Sequence, residues 1–140
     1  MSLDITSLKS AIEQLQDALV IYESELARNN PHLQKHLRGA SIQAFEFTYE
    51  LSFKMIRRSL ETFFQIDVAN MTFNRIIREA YAHQIIGSEL LVWQEYRKNR
   101  TITSHTYSEK NAQKVFEGTS DFLTEAKYLL SRLQELNKYD

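Results

Sequence analysis

The eight-residue run from Arg100 to Tyr107 brings together three side chains that can act on a phosphate group. Arg100 carries a permanent planar cation, which forms paired hydrogen bonds with phosphate oxygens. His105 titrates near neutral pH and can transfer protons. Tyr107 has a phenol oxygen that can donate, accept or receive a transferred group. Together these residue types indicate a phosphorus-containing substrate.

The spacing also leaves a plainer interpretation open, in which Arg100 and His105 are solvated surface residues. Positions five apart on a continuous α-helix are turned about 140° from each other, so one helix would not direct both side chains at one ligand. We therefore expect the run to lie at a helix end. The three residues after Arg100 are β-branched and Ser104 favours helix caps, which predicts a helix that ends near Arg100.

The composition restricts the class of protein. With 140 residues, 43% of them hydrophobic, the chain suits one domain over residues 1–140. Three Gly and one Pro leave little material for turns, which favours long helices. The net charge of −1 means that any contact with RNA must be local. There is no cysteine, no apolar run long enough to span a bilayer and no secretory leader, so we expect a soluble cytoplasmic protein without a membrane partner.

Apolar residues recur at three- and four-residue steps, which is typical of amphipathic helices. The predicted helices cover residues 5–27, 31–64, 72–86 and 89–100 and a last segment that begins at 108. The expected N-caps include Asp4, Asn30, Thr72 and Ser108. The predicted fold is therefore all-α, an up-and-down antiparallel bundle of about five helices.

Two carboxylates on the second predicted helix are candidates for a supporting role. Glu46 and Glu50 are four residues apart, so they lie on one helical face. In the functional interpretation, one of them would orient Arg100 or His105 by a hydrogen bond. The alternative is that Glu50 forms an ordinary surface ion pair with Lys54.

Arg97 and Lys98 lie just before Arg100. With Arg100 they would form a local basic edge that binds the phosphate backbone of RNA. The alternative is a solvated helix end, where cations are favoured by the helix dipole. His32 and His36 share a helical face but lack a third ligand, so we expect surface residues and neither a metal ion nor a cofactor.

The segment FEFTYEL at residues 45–51, with Lys54 one turn later and the pattern Arg100-x4-His105-x-Tyr107, resembles the nucleotidyltransferase substrate-binding protein family. That family belongs to the HEPN group of helical bundles. The resemblance covers nearly the whole chain. It implies a bundle similar to the substrate-binding domain of aminoglycoside nucleotidyltransferases, usually a homodimer, and a separately encoded minimal nucleotidyltransferase as its partner.

Related pairs act as toxin and antitoxin. The HEPN member is a metal-independent ribonuclease, and its partner silences it by adding AMP to the motif tyrosine. By this resemblance Arg100 and His105 would be the ribonuclease pair, and Tyr107 would be the modified residue. Family members commonly have Asn or Asp directly after the arginine, where this chain has Thr101, with Asn99 as a possible substitute.

The sequence leaves three hypotheses open. The favoured one is a substrate-binding or partner subunit that presents a nucleotide substrate or its own tyrosine to a nucleotidyltransferase. The chain lacks the Gly-Ser and paired-Asp signature of that enzyme, so it does not catalyse the transfer alone. The alternative is a ribonuclease, and the third is a structural dimer with an inactive motif. Metal-free RNA cleavage needs an acid, a base and a cation, so a second copy would supply the second histidine.

Overall fold

The computed structural model describes residues 2–105 and 108–139, without the side chains at positions 104 and 105. In these ranges every regular element is an α-helix and no strand is present. The helices are α1 (Thr6–Tyr22), α2 (Glu25–Arg28), α3 (Pro31–Phe64), α4 (Phe73–Ala82), α5 (Leu90–His105) and α6 (Glu109–Lys138). The predicted all-α class is therefore confirmed, with six helices in the described ranges instead of about five.

Side-chain caps begin the helices at three of the predicted positions. Asn30, Thr72 and Ser108 each accept a hydrogen bond from the backbone N–H three residues later, at 3.1, 3.2 and 3.0 Å. Pro31 occupies the first turn of α3, where its missing N–H costs nothing. These N-caps confirm the predicted starts of α3, α4 and α6.

The first predicted helix, residues 5–27, is divided in two. Its first part ends at Tyr22, where the Ser24 hydroxyl donates a 2.6 Å hydrogen bond to the carbonyl oxygen of Ile21. The same hydroxyl accepts from the N–H of Ala27 and thereby caps α2. A serine that bonds to the backbone on both sides interrupts the helix, so the prediction of one continuous segment was wrong.

Two further predicted boundaries differ by a few residues. Ile5, not Asp4, occupies the N-cap position of α1, and the Asp4 carboxylate accepts instead from the N–H of Thr6 at 2.9 Å. The helix expected to reach residue 86 ends as α4 at Ala82. The backbone turns left-handed at Gln84, where φ is 59°, and this conformation does not continue a right-handed helix.

The predicted end of a helix near Arg100 is also wrong, because α5 continues through His105. The β-branched residues remain helical while their hydroxyls bond back to the preceding turn. Thr101 Oγ1 donates to the carbonyl oxygen of Arg97 at 3.0 Å, and Thr103 Oγ1 donates to that of Arg100 at 2.7 Å. Positions 100 and 105 therefore lie on one helix, about 140° apart around its axis.

Five aromatic rings from α3, α5 and α6 meet in the core, and all five are at least nine-tenths buried. They belong to Phe45, Tyr49, Trp93, Tyr96 and Phe122. The ring of Phe122 contacts those of Phe45 and Tyr96 edge to face, with centroids 5.2 and 5.0 Å apart. Such pairs add about 0.5–1.5 kcal/mol each beyond burial and prefer a specific geometry, so the cluster fixes how the three helices sit against one another.

A buried carboxylate ties α6 to the connection before α5. Glu125 Oε1 accepts hydrogen bonds from the backbone N–H groups of Gly87 and Ser88 and from the indole N–H of Trp93, at 2.8, 3.1 and 3.2 Å. Its other oxygen accepts from the Ser88 hydroxyl at 2.7 Å. These four donors offset the cost of burying the charge. Glu125 was not among the residues singled out from the sequence, although a glutamate within the apolar stripe of α6 was an available signal.

Helices α5 and α6 approach closely at Gly118. A Cβ atom at this position would lie 2.8 Å from Nδ2 of Asn99, which is 5% exposed. Glycine is therefore needed here for space and not for backbone freedom. Gly39 is also helical but exposed, with nothing within 4 Å of its Cβ position.

Replacing Gly118 with Ala is expected to lower the free energy of unfolding by about 1 kcal/mol or more, because the buried Asn99 amide must move. The matched control, Gly39→Ala, is expected to raise it by about 0.5–1 kcal/mol, since alanine is the better helix former. Urea unfolding of both variants measures the two changes. A Gly118→Ala protein as stable as the Gly39→Ala protein would contradict the close approach.

Candidate functional site

Arg100 is held between two carboxylates of α3. Its Nε donates a 3.0 Å hydrogen bond to Glu50 Oε1, and its Nη2 donates to the same oxygen. Its Nη1 lies 3.7 Å from Glu46 Oε2. The Arg100 and Glu46 side chains are about a quarter exposed, whereas Glu50 is 61% exposed. The guanidinium is therefore fixed in position while one edge of the cluster remains open to solvent.

Thr103 adds a third contact to this cluster. Its hydroxyl accepts a hydrogen bond from Arg100 Nη1 at 3.3 Å and donates to the carbonyl oxygen of Arg100 at 2.7 Å. Thr103 was not predicted from the sequence as a site residue, although its spacing of three from the arginine places the two on one helical face. The contact draws the guanidinium toward the last turn of α5.

The sequence left two interpretations open for Glu46 and Glu50. The structure brings both carboxylates to Arg100, and contact with the arginine is what the orienting interpretation requires. Glu50, which the alternative paired with Lys54, is bonded to the arginine instead. Their part in a reaction stays a prediction.

Buried aromatic residues set the direction of the two carboxylates. Phe45 and Tyr49 precede them by one position each, and on a helix neighbouring side chains are about 100° apart. Burial of the rings therefore leaves the carboxylates at the margin of the core, facing α5. Burial also raises the pKa of Tyr49 to about 12, against the opposing effect of the Arg97 and Arg100 charges. The Tyr49 phenol is thus protonated at neutral pH.

Arg97 lies one turn before Arg100 on α5 and is exposed. Its guanidinium carbon is 4.5 Å from the centroid of the Phe73 ring, a cation–π contact with the first turn of α4. Lys98 is exposed beside it. Both cations remain accessible from solvent, and their predicted role as a basic edge for phosphates stays a prediction.

The residues on either side of Arg100 face in different directions. Thr101 is exposed, and its hydroxyl bonds to a backbone carbonyl of the same helix. Asn99 is buried against Gly118 of α6. The amide considered as a substitute for the family residue after the arginine therefore lies in the interface between α5 and α6.

Two of the predicted site residues fall outside what the structure describes. The backbone of His105 is the last position of α5, but its side chain lies outside the described atoms. Tyr107 lies outside the described residues altogether. The predicted convergence of these two groups with Arg100 is therefore a prediction still.

The chain that follows the motif is also attached to α3. Glu109, in the first turn of α6, forms ion pairs with Arg38 at 2.7 Å and Lys35 at 3.3 Å. Hydrogen bonds from Arg38 and then Lys35 lower the pKa of the Glu109 carboxyl. Arg38 also donates to the side chain of Gln113 at 3.2 Å. One helix thus holds residues on both sides of the interval 101–108.

Within residues 2–105 and 108–139, no three His, Asp or Glu side chains are arranged to hold a metal ion. His32 and His36 are both exposed on α3, as expected of surface residues. No helix in the same ranges combines the length and the apolar character needed to cross a bilayer.

The fold and the site define an all-α bundle with an arginine–carboxylate cluster near the end of α5. Residues 3–135 match a family described as nucleotidyltransferase substrate binding protein like. A Haemophilus influenzae protein named probable ribonuclease HepT is 41% identical over 110 residues, which cover 77% of this chain and 75% of that protein. A solved structure of HI0074 from the same organism, described as the fold of a substrate binding domain of a nucleotidyltransferase, has a TM-score of 0.84 and 34% identity. That match covers 94% of this chain and 99% of the other.

The chain therefore belongs to the nucleotidyltransferase substrate binding protein like family. The family resemblance seen in the sequence is confirmed, and so is the expected likeness to a nucleotidyltransferase substrate-binding domain.

The contact between Arg100 and Glu50 is expected to appear as a coupling of about 0.5–1 kcal/mol in the free energy of unfolding. The measurement is a double-mutant cycle with Arg100→Ala and Glu50→Ala. The coupling energy should fall as the salt concentration is raised, because Glu50 is largely exposed. Glu61→Ala is the matched control, since Glu61 lies eleven positions, or about 16 Å, further along α3. Equal coupling in the two cycles would show that Glu50 does not hold the arginine in solution.

Proposed function

We propose that this protein is a metal-independent ribonuclease that works as the helical partner of a separately encoded minimal nucleotidyltransferase. The sequence favoured the partner role and kept the ribonuclease as the alternative. We combine the two roles for two reasons. A relative that is 41% identical is named probable ribonuclease HepT. The family is described as nucleotidyltransferase substrate binding protein like, and a solved relative as a substrate binding domain of a nucleotidyltransferase.

The observation that carries the ribonuclease proposal is the cluster of Arg100 with Glu46 and Glu50. A guanidinium already fixed by hydrogen bonds pays little reorganisation when charge develops on a nearby phosphate. The short bonds to Glu50 use the more exposed of the two carboxylates. A phosphate would compete with Glu50 for Nη2, while Glu46 and Thr103 continue to hold Nη1.

The chemistry follows from these groups and from His105. A base removes the proton of the RNA 2′-hydroxyl, whose oxygen attacks the adjacent phosphorus, and an acid gives a proton to the departing 5′-oxygen. The products are a 2′,3′-cyclic phosphate and a free 5′-hydroxyl. Arg100 stabilises the additional negative charge on the phosphorus oxygens. One histidine does not fill both the acid and the base roles in a single concerted step.

A homodimer would supply the second histidine. Because α5 is continuous through His105, positions 100 and 105 of one chain are directed about 140° apart. Two copies related by a two-fold axis bring two histidines and two arginines to one seam. The proposed site is therefore shared between two chains.

Arg100→Ala and His105→Ala are each expected to lower the rate of RNA cleavage by about a hundredfold or more, with chelator present throughout. Arg28→Ala is the control, because Arg28 is exposed and its ion pair within the described ranges is with the nearby Glu23. The measurement is cleavage of a labelled single-stranded RNA by the purified protein.

A mixed dimer of one wild-type and one His105→Ala chain, isolated with two affinity tags, is expected to be nearly inactive if both histidines serve one site. Half of the wild-type rate would contradict the shared site. Wild-type protein that leaves RNA intact would contradict the ribonuclease proposal itself.

For the partner role, we expect the protein to co-purify with the minimal nucleotidyltransferase encoded beside it. With ATP, the chain should gain the mass of one AMP group and lose ribonuclease activity. Tyr107→Phe is expected to prevent both changes, because it removes only the acceptor oxygen. Mass spectrometry and the cleavage assay measure them, and unchanged modification of Tyr107→Phe would exclude this tyrosine as the acceptor.

A further inference from the structure

The outer face of α3 continues from the Arg100 cluster into a basic groove. Its volume is about 300 Å³. The groove is lined by Glu50, Phe53, Lys54, Arg57, Arg58 and Glu61. It begins at Glu50, the carboxylate that holds Arg100, so the groove and the candidate site share a residue.

The three cations of this groove have no carboxylate partner among the described residues. Lys54, Arg57 and Arg58 are exposed, and no ion pair within 4.0 Å engages them in that part of the chain. By contrast, Arg38 and Arg132 each contact a glutamate. Against Glu50 and Glu61 in the same lining, these three cations leave the groove with a formal charge of +1, in a chain whose net charge is −1.

An aromatic contact joins this groove to the basic end of α5. Phe53 stacks on Phe73, with centroids 5.4 Å apart and an angle of 24° between the planes. The Arg97 guanidinium lies 4.5 Å from the same Phe73 ring. Positive charge is therefore distributed from Arg97 on α5, past two packed rings, to the cations of α3.

The dimensions favour a chain of phosphates over a single one. Lys54 and Arg58 are four positions apart, about 6 Å along the helix, which matches about two stacked nucleotides of one strand. Only Phe53 is apolar in the lining, so little surface is present that would enter a lipid layer.

From this arrangement we infer that Lys54, Arg57 and Arg58 bind the RNA backbone on one side of the cleaved phosphate. The inference rests on the proposed ribonuclease function, whose reacting groups it extends with a subsite for substrate. Contacts to phosphates position a strand without reading its bases, so the subsite sets affinity and register and not sequence preference.

The test is binding of a single-stranded RNA with 2′-O-methyl groups, which lacks the hydroxyl needed for cleavage. Fluorescence anisotropy over a series of salt concentrations compares wild type with Lys54→Gln/Arg57→Gln/Arg58→Gln. The triple variant is expected to bind about tenfold or more weakly and to reduce the slope of log K against log salt by about 2, at about 0.7 for each lost contact. Its melting temperature should match wild type, since all three side chains are exposed.

The control removes the same charge elsewhere, with Lys9→Gln/Lys127→Gln/Lys138→Gln, and should leave the salt slope unchanged. In the cleavage assay the groove variant should raise KM, whereas Arg100→Ala lowers kcat. If wild type cleaves RNA but the groove variant binds the methylated strand as wild type does, the subsite is wrong and the ribonuclease proposal stands.

If wild type binds the methylated strand through the groove but cleaves no RNA, the ribonuclease proposal fails and the binding inference stands. Loss of binding to ATP alone, with RNA binding intact, would overturn the inference in favour of a nucleotide site. Loss of co-purification with the nucleotidyltransferase alone would overturn it in favour of a protein interface.

Discussion

Edge-to-face packing of the core aromatic rings is the constraint on which the site depends. Phe122 of α6 contacts Phe45 of α3 and Tyr96 of α5, so one ring relates three helices. Each carboxylate of the arginine cluster follows a buried ring of α3, and rotation of that helix would bury or withdraw it. The positions of charged groups at the surface are thus set by the shapes of apolar groups beneath them.

The arginine cluster combines a fixed geometry with a small contribution to stability. Pairs between partly exposed charges contribute about 0–1 kcal/mol, because water and salt screen them. Glu46 and Glu50 therefore contribute more to the orientation of the Arg100 guanidinium than to the stability of the fold. Two carboxylates beside one guanidinium also leave the cluster with a formal charge of −1, so under the proposed function a phosphate would have to replace the exposed Glu50. Cations further along α3 offset the repulsion that an RNA strand would meet here.

Local signals in the sequence predicted much of the fold. Caps at Asn30, Thr72 and Ser108 were readable because a side chain bonds to a backbone group three residues away. The end of α5 could not be predicted from the sequence, because helix propensity disfavours β-branched residues. The hydroxyls of the two threonines bond to the preceding turn and stabilise the same helix. The contact of Glu50 with Arg100 joins residues fifty positions apart, and spacing within one helix gives no information about such pairs.

The double attachment to α3 bears on how the motif can vary. Arg38 and Glu46 are eight positions apart on a rigid rod, so the two anchorages of the 101–108 interval are separated by about 12 Å whatever residues that interval contains. The attachment of this segment to α3 therefore does not depend on the residues within the segment. Thr101 is helical and exposed within this interval, so its side chain can change without disturbing either anchorage.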